Sequence, residues 1–188
     1  MSILKKLSVL LTAIAIMQPS FALPISEIKE LVPDLKEWAT DPAIVSAVSD
    51  ANQVFKTRRE MNALDREWQE YQGISPLMLS MLESKAAQKL LEFEQSKPFY
   101  KEIFITDKFG ANVAMTSKTS DYWQGDEQKF SKCFNKGKGT VFVSKSKFDT
   151  STQKNLVQIS IPILNGEDTI GVMVVGINTH LYEKFDDK

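Results

Sequence analysis

Apolar residues recur along this chain with two different periods, and the change of period divides it. Ile44, Val48, Ala51, Phe55, Met61 and Leu64 follow one another mostly at three-, four- or seven-residue steps, with one slip between Phe55 and Met61. That spacing places them near one stripe of a helix and predicts a long helix over 42–72, ended by Gly73. Asp41 caps its free amides, and Pro42 takes the first helical position, where a missing donor is harmless. Before it, Ser26, Glu27, Lys29 and Glu30 open a shorter segment that Pro33 interrupts. After it, Ser75-Pro76 opens a further helix through Leu77, Met81, Leu82 and Leu90 to about residue 93.

Lys97-Pro98 marks the switch to strands. Residues 100–106 and 112–115 read as a hairpin around Asp107-Lys108-Phe109-Gly110, with Gly110 free to take a positive φ. A third strand is predicted at 140–144, with Phe142 facing opposite to Val141 and Val143. Residues 156–163 alternate, setting Val157, Ile159, Ile161 and Ile163 on one face and Gln158 and Ser160 on the other. Asn165-Gly166 is a hairpin turn, and 169–177 is apolar on both faces, with Gly171 and Gly176 marking a bend or close packing. Short helices are expected at 127–134 and 179–187. Helices first and strands afterwards, with short antiparallel connections, give an α+β class. The expected architecture is a five-stranded antiparallel sheet with the long N-terminal helix packed across it.

The first 22 residues read as an address. Lys5 and Lys6 precede an apolar run over 7–17, and Ser20-Phe21-Ala22 supplies the small residues a signal peptidase needs. Residues 1–22 are therefore expected to be a cleavable signal peptide and the mature protein to be periplasmic or secreted. Residues 23–97 then form the helical segment, and 98–188 the sheet, of one domain. Without Lys5 and Lys6, 21 basic side chains face 24 acidic ones, a net charge of about −3. That balance lacks the clustered cations of a nucleic-acid binder, and Arg58-Arg59 lies among Glu60, Asp65 and Glu67 as a solvated helix face.

Catalytic groups are scarce. The single histidine, His180, has no partner motif, and no nucleophile elbow or phosphate-binding glycine pattern is present. One histidine and one cysteine cannot form a metal cluster, so no metal or cofactor is expected; Cys133 reads as a buried small hydrophobe. The carboxylates Asp121, Asp126, Glu127 and Asp149 lack the spacing of a calcium loop, and Asp126-Glu127 can simply charge the first turn of the following helix. An enzyme is not expected. Tyr122 and Trp123 offer stiff apolar surfaces with polar tips, suited to walling a small pocket or to filling a core.

The stretch 103–127 is the most specific part of the chain. Phe104-Ile105-Thr106-Asp107, Gly110, Val113-Ala114, the run Thr119-Ser120-Asp121-Tyr122-Trp123-Gln124-Gly125-Asp126-Glu127 and, further on, Phe148-Asp149-Thr150-Ser151 closely resemble the Cache or PDC sensor domains. These are PAS-like extracytoplasmic modules of bacterial kinases, cyclases and chemoreceptors. The resemblance extends more weakly over 41–178. It implies a PAS-like sheet and a small-molecule pocket formed by Tyr122, Trp123, Asp126, Phe142 and Asp149. Amino-acid-binding relatives carry an arginine soon after the aromatic pair, whereas this chain reads Gln124-Gly125-Asp126-Glu127-Gln128-Lys129. Lysine is a poor substitute for a planar bidentate fork, so a cationic, amine-bearing or neutral ligand is expected. The implied partners are a membrane-bound signalling protein and a second copy docked through the long helix. The rival readings are a structural or inhibitory interaction protein whose pocket its own side chains fill, and a secreted hydrolase using Asp126 and Asp149.

Overall fold

The computed structural model describes residues 25–149 and 154–186; the stretch 1–22, expected to be a signal peptide, lies outside the described residues. The N-terminal part is helical: α1 (Ile25–Ile28), a 3-10 turn (Lys29–Leu31), α2 (Val32–Trp38), α3 (Pro42–Ala51), α4 (Arg58–Glu70), α5 (Pro76–Leu82) and α6 (Lys85–Gln95). Asp41 caps α3 as its sequence implies, its Oδ1 accepting from the Ala43 amide at 2.8 Å. The single helix expected over 42–72 is two helices. Thr57 and Glu60 form a capping box that restarts the chain at Arg58, and this break is the slip between Phe55 and Met61. The next expected helix is also divided, because the Ser84 hydroxyl accepts from the Ala87 amide and opens α6.

The strands are β1 (Tyr100–Asp107), β2 (Asn112–Met115), β3 (Phe142–Val143), β4 (Lys147–Asp149), β5 (Lys154–Asn165) and β6 (Asp168–Asn178), with α7 (Gln128–Phe134) before β3 and α8 (Thr179–Asp186) after β6. They form one antiparallel sheet of order β2-β1-β6-β5-β3. β4 also pairs with β5, so its outer position is shared by two short strands in tandem where one was expected. The α+β class and the antiparallel sheet agree with the sequence pattern.

Strand alternation sends side chains into two cores. Ile103, Ile105, Val157, Ile159, Ile161, Ile163, Met173, Val175 and Ile177 pack with Leu35, Ile44, Val48 and Leu90 of the helices. Phe104, Met115, Val172 and Val174 face the other way, against Met61, Trp68, Met78, Tyr122, Trp123, Phe130 and Cys133. β6 is apolar on both faces because both are covered. A bulge at Glu102, whose φ is 46°, lets Tyr100 and Ile103 reach the same core although they are three residues apart. A Cβ at Gly171 or Gly176 would collide with the carbonyl of Thr106 or Lys101, which accounts for both glycines in β6.

Candidate functional site

The β1–β2 turn organises the region around the aromatic pair. Asp107 Oδ1, fully buried, accepts from the amides of Phe109 (2.9 Å) and Ala111 (3.0 Å), and its Oδ2 lies 3.3 Å from Lys56 Nζ. Gly110 takes φ 85°, and a Cβ there would lie 2.6 Å from the Gly125 Cα. The turn thereby clamps the polar loop that follows β2, whose Trp123 forms a bridge with Ala111.

Tyr122 and Trp123 belong to the packed interior of this region. Tyr122 is buried beside Trp68, with ring centroids 5.8 Å apart. Burial pushes its phenol up to about 12, and the Asp107 carboxylate acts in the same direction. Trp123 donates from Nε1 to the Phe109 carbonyl (2.8 Å) and from its amide to Asp65 Oδ1 (2.9 Å). Its ring lies against Gly125, and the Arg58 guanidinium sits 3.6 Å from the ring centre. Arg58 therefore covers an aromatic ring, a correction to its reading as simply a solvated face. Gln124 is buried as well and donates to the Asp121 carbonyl at 2.7 Å.

Asp126 and Phe142 meet elsewhere, in a cleft of about 740 Å³ between the start of α7 and the sheet edge at β3 and β5. Such a volume suits a small organic molecule. Its walls combine Asp126 and Glu127 with Lys129, Lys132 and Lys145, and add the polar Ser144 and Gln158 beside Phe142. Lys132 Nζ stands 5.1 Å from the Phe142 ring centre. Lys129 is largely buried: its Nζ lies 3.1 Å from Glu127 Oε1 and 5.3 Å from the Phe104 ring centre. Glu127 stands at the N-cap of α7 but makes no side-chain cap there, pairing with Lys129 instead. Phe142 and Val143 also line a second cavity of about 480 Å³, together with Lys29, Val32 and Val141.

Asp149 ends β4, paired with Lys154, and its side chain lies outside the described residues. Phe142 pairs with Ser160, six residues further along β5, so the two backbones are about 20 Å apart at the rise of an extended strand. The structure thus brings together Asp126 and Phe142, packs Tyr122 and Trp123 inside, and sets the Asp149 backbone further along the same edge.

The sequence reading did not single out Lys132, Ser144 and Lys145 for the cleft. Gln158 carried the one available signal, a polar residue between the inward-facing Val157 and Ile159. Among the described residues, no group of His, Cys, Asp or Glu side chains is placed to hold a metal, and no helix is long and apolar enough to cross a membrane. Cys133 is buried, and burial pushes its thiol up to about 12, against the opposing pull of a hydrogen bond to the Phe142 backbone.

No protein-family model and no curated protein matches this chain. Among solved structures it is similar to the sensor domain of the V. cholerae histidine kinase DctB, with a TM-score of 0.48 and 13% identity over 85% of this chain and 52% of that one. It is also similar to the ligand-binding domain of the Campylobacter jejuni chemoreceptor Tlp3, solved with 4-methylisoleucine, with a TM-score of 0.42 and 16% identity over 83% of this chain and 60% of that one. The chain spans between half and two thirds of the length of each.

Proposed function

We propose that this protein is an extracytoplasmic sensor module that binds a small molecule in the cleft beside α7 and relays its occupancy to a membrane-bound signalling partner. The observation that carries the reading is the cleft itself: about 740 Å³, walled by one aromatic ring, uncharged hydrogen-bonding groups and charges of both signs. Asp126 offers an acceptor for an amine or hydroxyl of the ligand, Phe142 offers a ring face, and Gln158 and Ser144 offer neutral polar contacts. Lys132 and Lys145 also make room for an anionic group, which extends the ligand classes beyond the cationic or neutral molecule expected from Gln124 to Lys129.

A panel of metabolites screened by thermal melting tests this, since a ligand that binds only the folded state raises the melting temperature. For any hit, Asp126→Ala and Phe142→Ala should each weaken the affinity in calorimetry by about tenfold or more, the loss of one charge-assisted contact or one ring face. The melting temperature of the ligand-free protein should stay unchanged in Asp126→Ala, whose side chain is exposed, and fall in Phe142→Ala, whose ring also packs against the core. The absence of a shift with every small molecule would favour an interaction protein with a self-filled pocket, a reading that gains from the inward packing of Tyr122 and Trp123.

A further inference from the structure

The connection between α3 and α4 carries Val54 and Phe55, which are 58% and 76% exposed, Phe55 being the most exposed large apolar side chain among the described residues. This exposure is built in. Asn52 donates from Nδ2 to the Ile170 carbonyl (2.8 Å) and accepts the Lys108 amide on Oδ1 (3.0 Å), while Lys56 reaches the buried Asp107. The far end of the connection is fixed by the Thr57–Glu60 capping box. A segment pinned at both ends thus holds two apolar side chains out in water, where their exposure is unfavourable.

Phe55 meets Phe109 of the β1–β2 turn edge to face, at 6.4 Å between ring centres, so the connection and the turn form one exposed tip. Lys108, Arg58 and Arg59 stand exposed around it. The acids nearby in sequence are the exposed Asp50 at the end of α3, Glu60, whose carboxylate is engaged by the Thr57 amide and hydroxyl, and the buried Asp107, which pairs with Lys56. Exposed apolar side chains flanked by cations match the headgroup layer of an anionic bilayer, which admits aromatic and aliphatic side chains and attracts the cations beside them.

We propose that this tip docks on an anionic phospholipid bilayer, with Val54 and Phe55 entering the headgroup layer and Lys108, Arg58 and Arg59 facing lipid phosphates. The test is co-sedimentation of the mature chain, 23–188, at low ionic strength, with vesicles of equal parts phosphatidylglycerol and phosphatidylcholine and with vesicles of phosphatidylcholine alone. The proposal expects partitioning onto the anionic vesicles about tenfold stronger than onto the neutral ones, from a few cations near the surface. Phe55→Asp should cut it by a further tenfold or so, at an unchanged melting temperature, because its ring is already in water. Arg59→Glu combined with Lys108→Glu should abolish the preference for anionic vesicles, again without loss of folding. Failure to bind either vesicle, or equal binding by Phe55→Asp, would overturn the proposal. So would a Phe55→Asp variant that turns a dimer into a monomer in analytical ultracentrifugation, since the tip would then meet a second copy of this chain.

Discussion

One face of the sheet presents mainly aliphatic strand side chains, while the other is filled by rings and methionines from α4, α5, α7 and the loop that carries Tyr122 and Trp123. On the first face, β1, β5 and β6 present isoleucines and valines to α2, α3 and α6, and shape and apolar area account for most of the contact. On the second, large rings and methionines fill the space, and the polar tips of the rings tie distant segments together. Trp68 Nε1 donates to the Thr119 carbonyl at 2.8 Å, and Trp123 reaches both Phe109 and Asp65. The cleft opens at the margin of this second face, where Phe142 contributes both to the core and to the wall, and the wall residue Lys129 reaches the buried Phe104 ring. Aliphatic side chains close a face by shape alone, whereas rings with polar tips also bond the irregular backbone around them.

The sharpest way to break this comparison is Trp123→Ala, which removes a ring, two contacts across it and the donor to Phe109. It should cost about 3–5 kcal/mol in urea unfolding. A smaller loss, coupled to weakened ligand affinity, would return Trp123 to the pocket wall. On the aliphatic face, Leu90→Ala deletes a fully buried side chain and no hydrogen bond, and should cost about 3 kcal/mol. Ligand affinity should not change, and a change would show the two faces to be coupled. Gly110→Val strains the turn that clamps the aromatic loop, through both its positive φ and the approach of Gly125, and should cost about 2 kcal/mol or more. An unchanged urea midpoint would show that the loop holds without the turn.

The smallest effect is expected at alkaline pH. Burial raises Tyr100 of the aliphatic core, with Asp34 and Tyr182 adding to it, from 10.0 to about 12. Tyr122 rises from 10.0 to about 12 and Cys133 from 9.0 to about 12, both in the aromatic core. The unfolded chain loses each of these protons first, so the stabilisation is complete below the unfolded values and fades as pH rises toward 12. The cysteine part begins near pH 9 and belongs to the aromatic face alone. Cys133→Ala should flatten the decline of urea midpoints between about pH 9 and 10, whereas Tyr122→Phe should flatten it only above about pH 10. A Cys133→Ala protein with the wild-type slope would contradict the assignment.

Much of this architecture could be read locally. Period-two runs and the Asp107–Gly110 and Asn165-Gly166 turns placed four strands to within two residues at each end, because the signals that define them are contiguous. The break between α3 and α4 was also written locally, as Thr57 followed by Glu60, but the apolar stripe carries on past it and hides the restart. The tandem of β3 and β4 could not be read, since strands of two and three residues are set by what β5 offers them. The site was half legible for a similar reason. Asp126 and Phe142 are polar and apolar in the places a cleft needs, but amphipathic rings such as Tyr122 and Trp123 suit a pocket or a core equally. For Trp123, the Phe109 carbonyl and the Asp65 carboxylate, reached from distant parts of the chain, tie the residue to the core, and no local signal announces them.

The divided edge of the sheet has a consequence for how the protein behaves in a crowd. A long straight outer strand invites neighbouring chains to add to it, which is how soluble proteins begin to aggregate. Here that edge is offered only as the short runs Phe142–Val143 and Lys147–Asp149, with 144–146 between them. Ser144 occupies part of that gap, accepting the Gln158 amide on its hydroxyl at 2.9 Å and donating its own amide to the Gln158 carbonyl at 2.9 Å. At the opposite edge, the Asn112 amide of β2 is taken by the Tyr122 carbonyl at 3.0 Å. Among the described residues neither margin presents a long uninterrupted run of unpaired backbone, and such breaks guard a fold against polymerising through its strands.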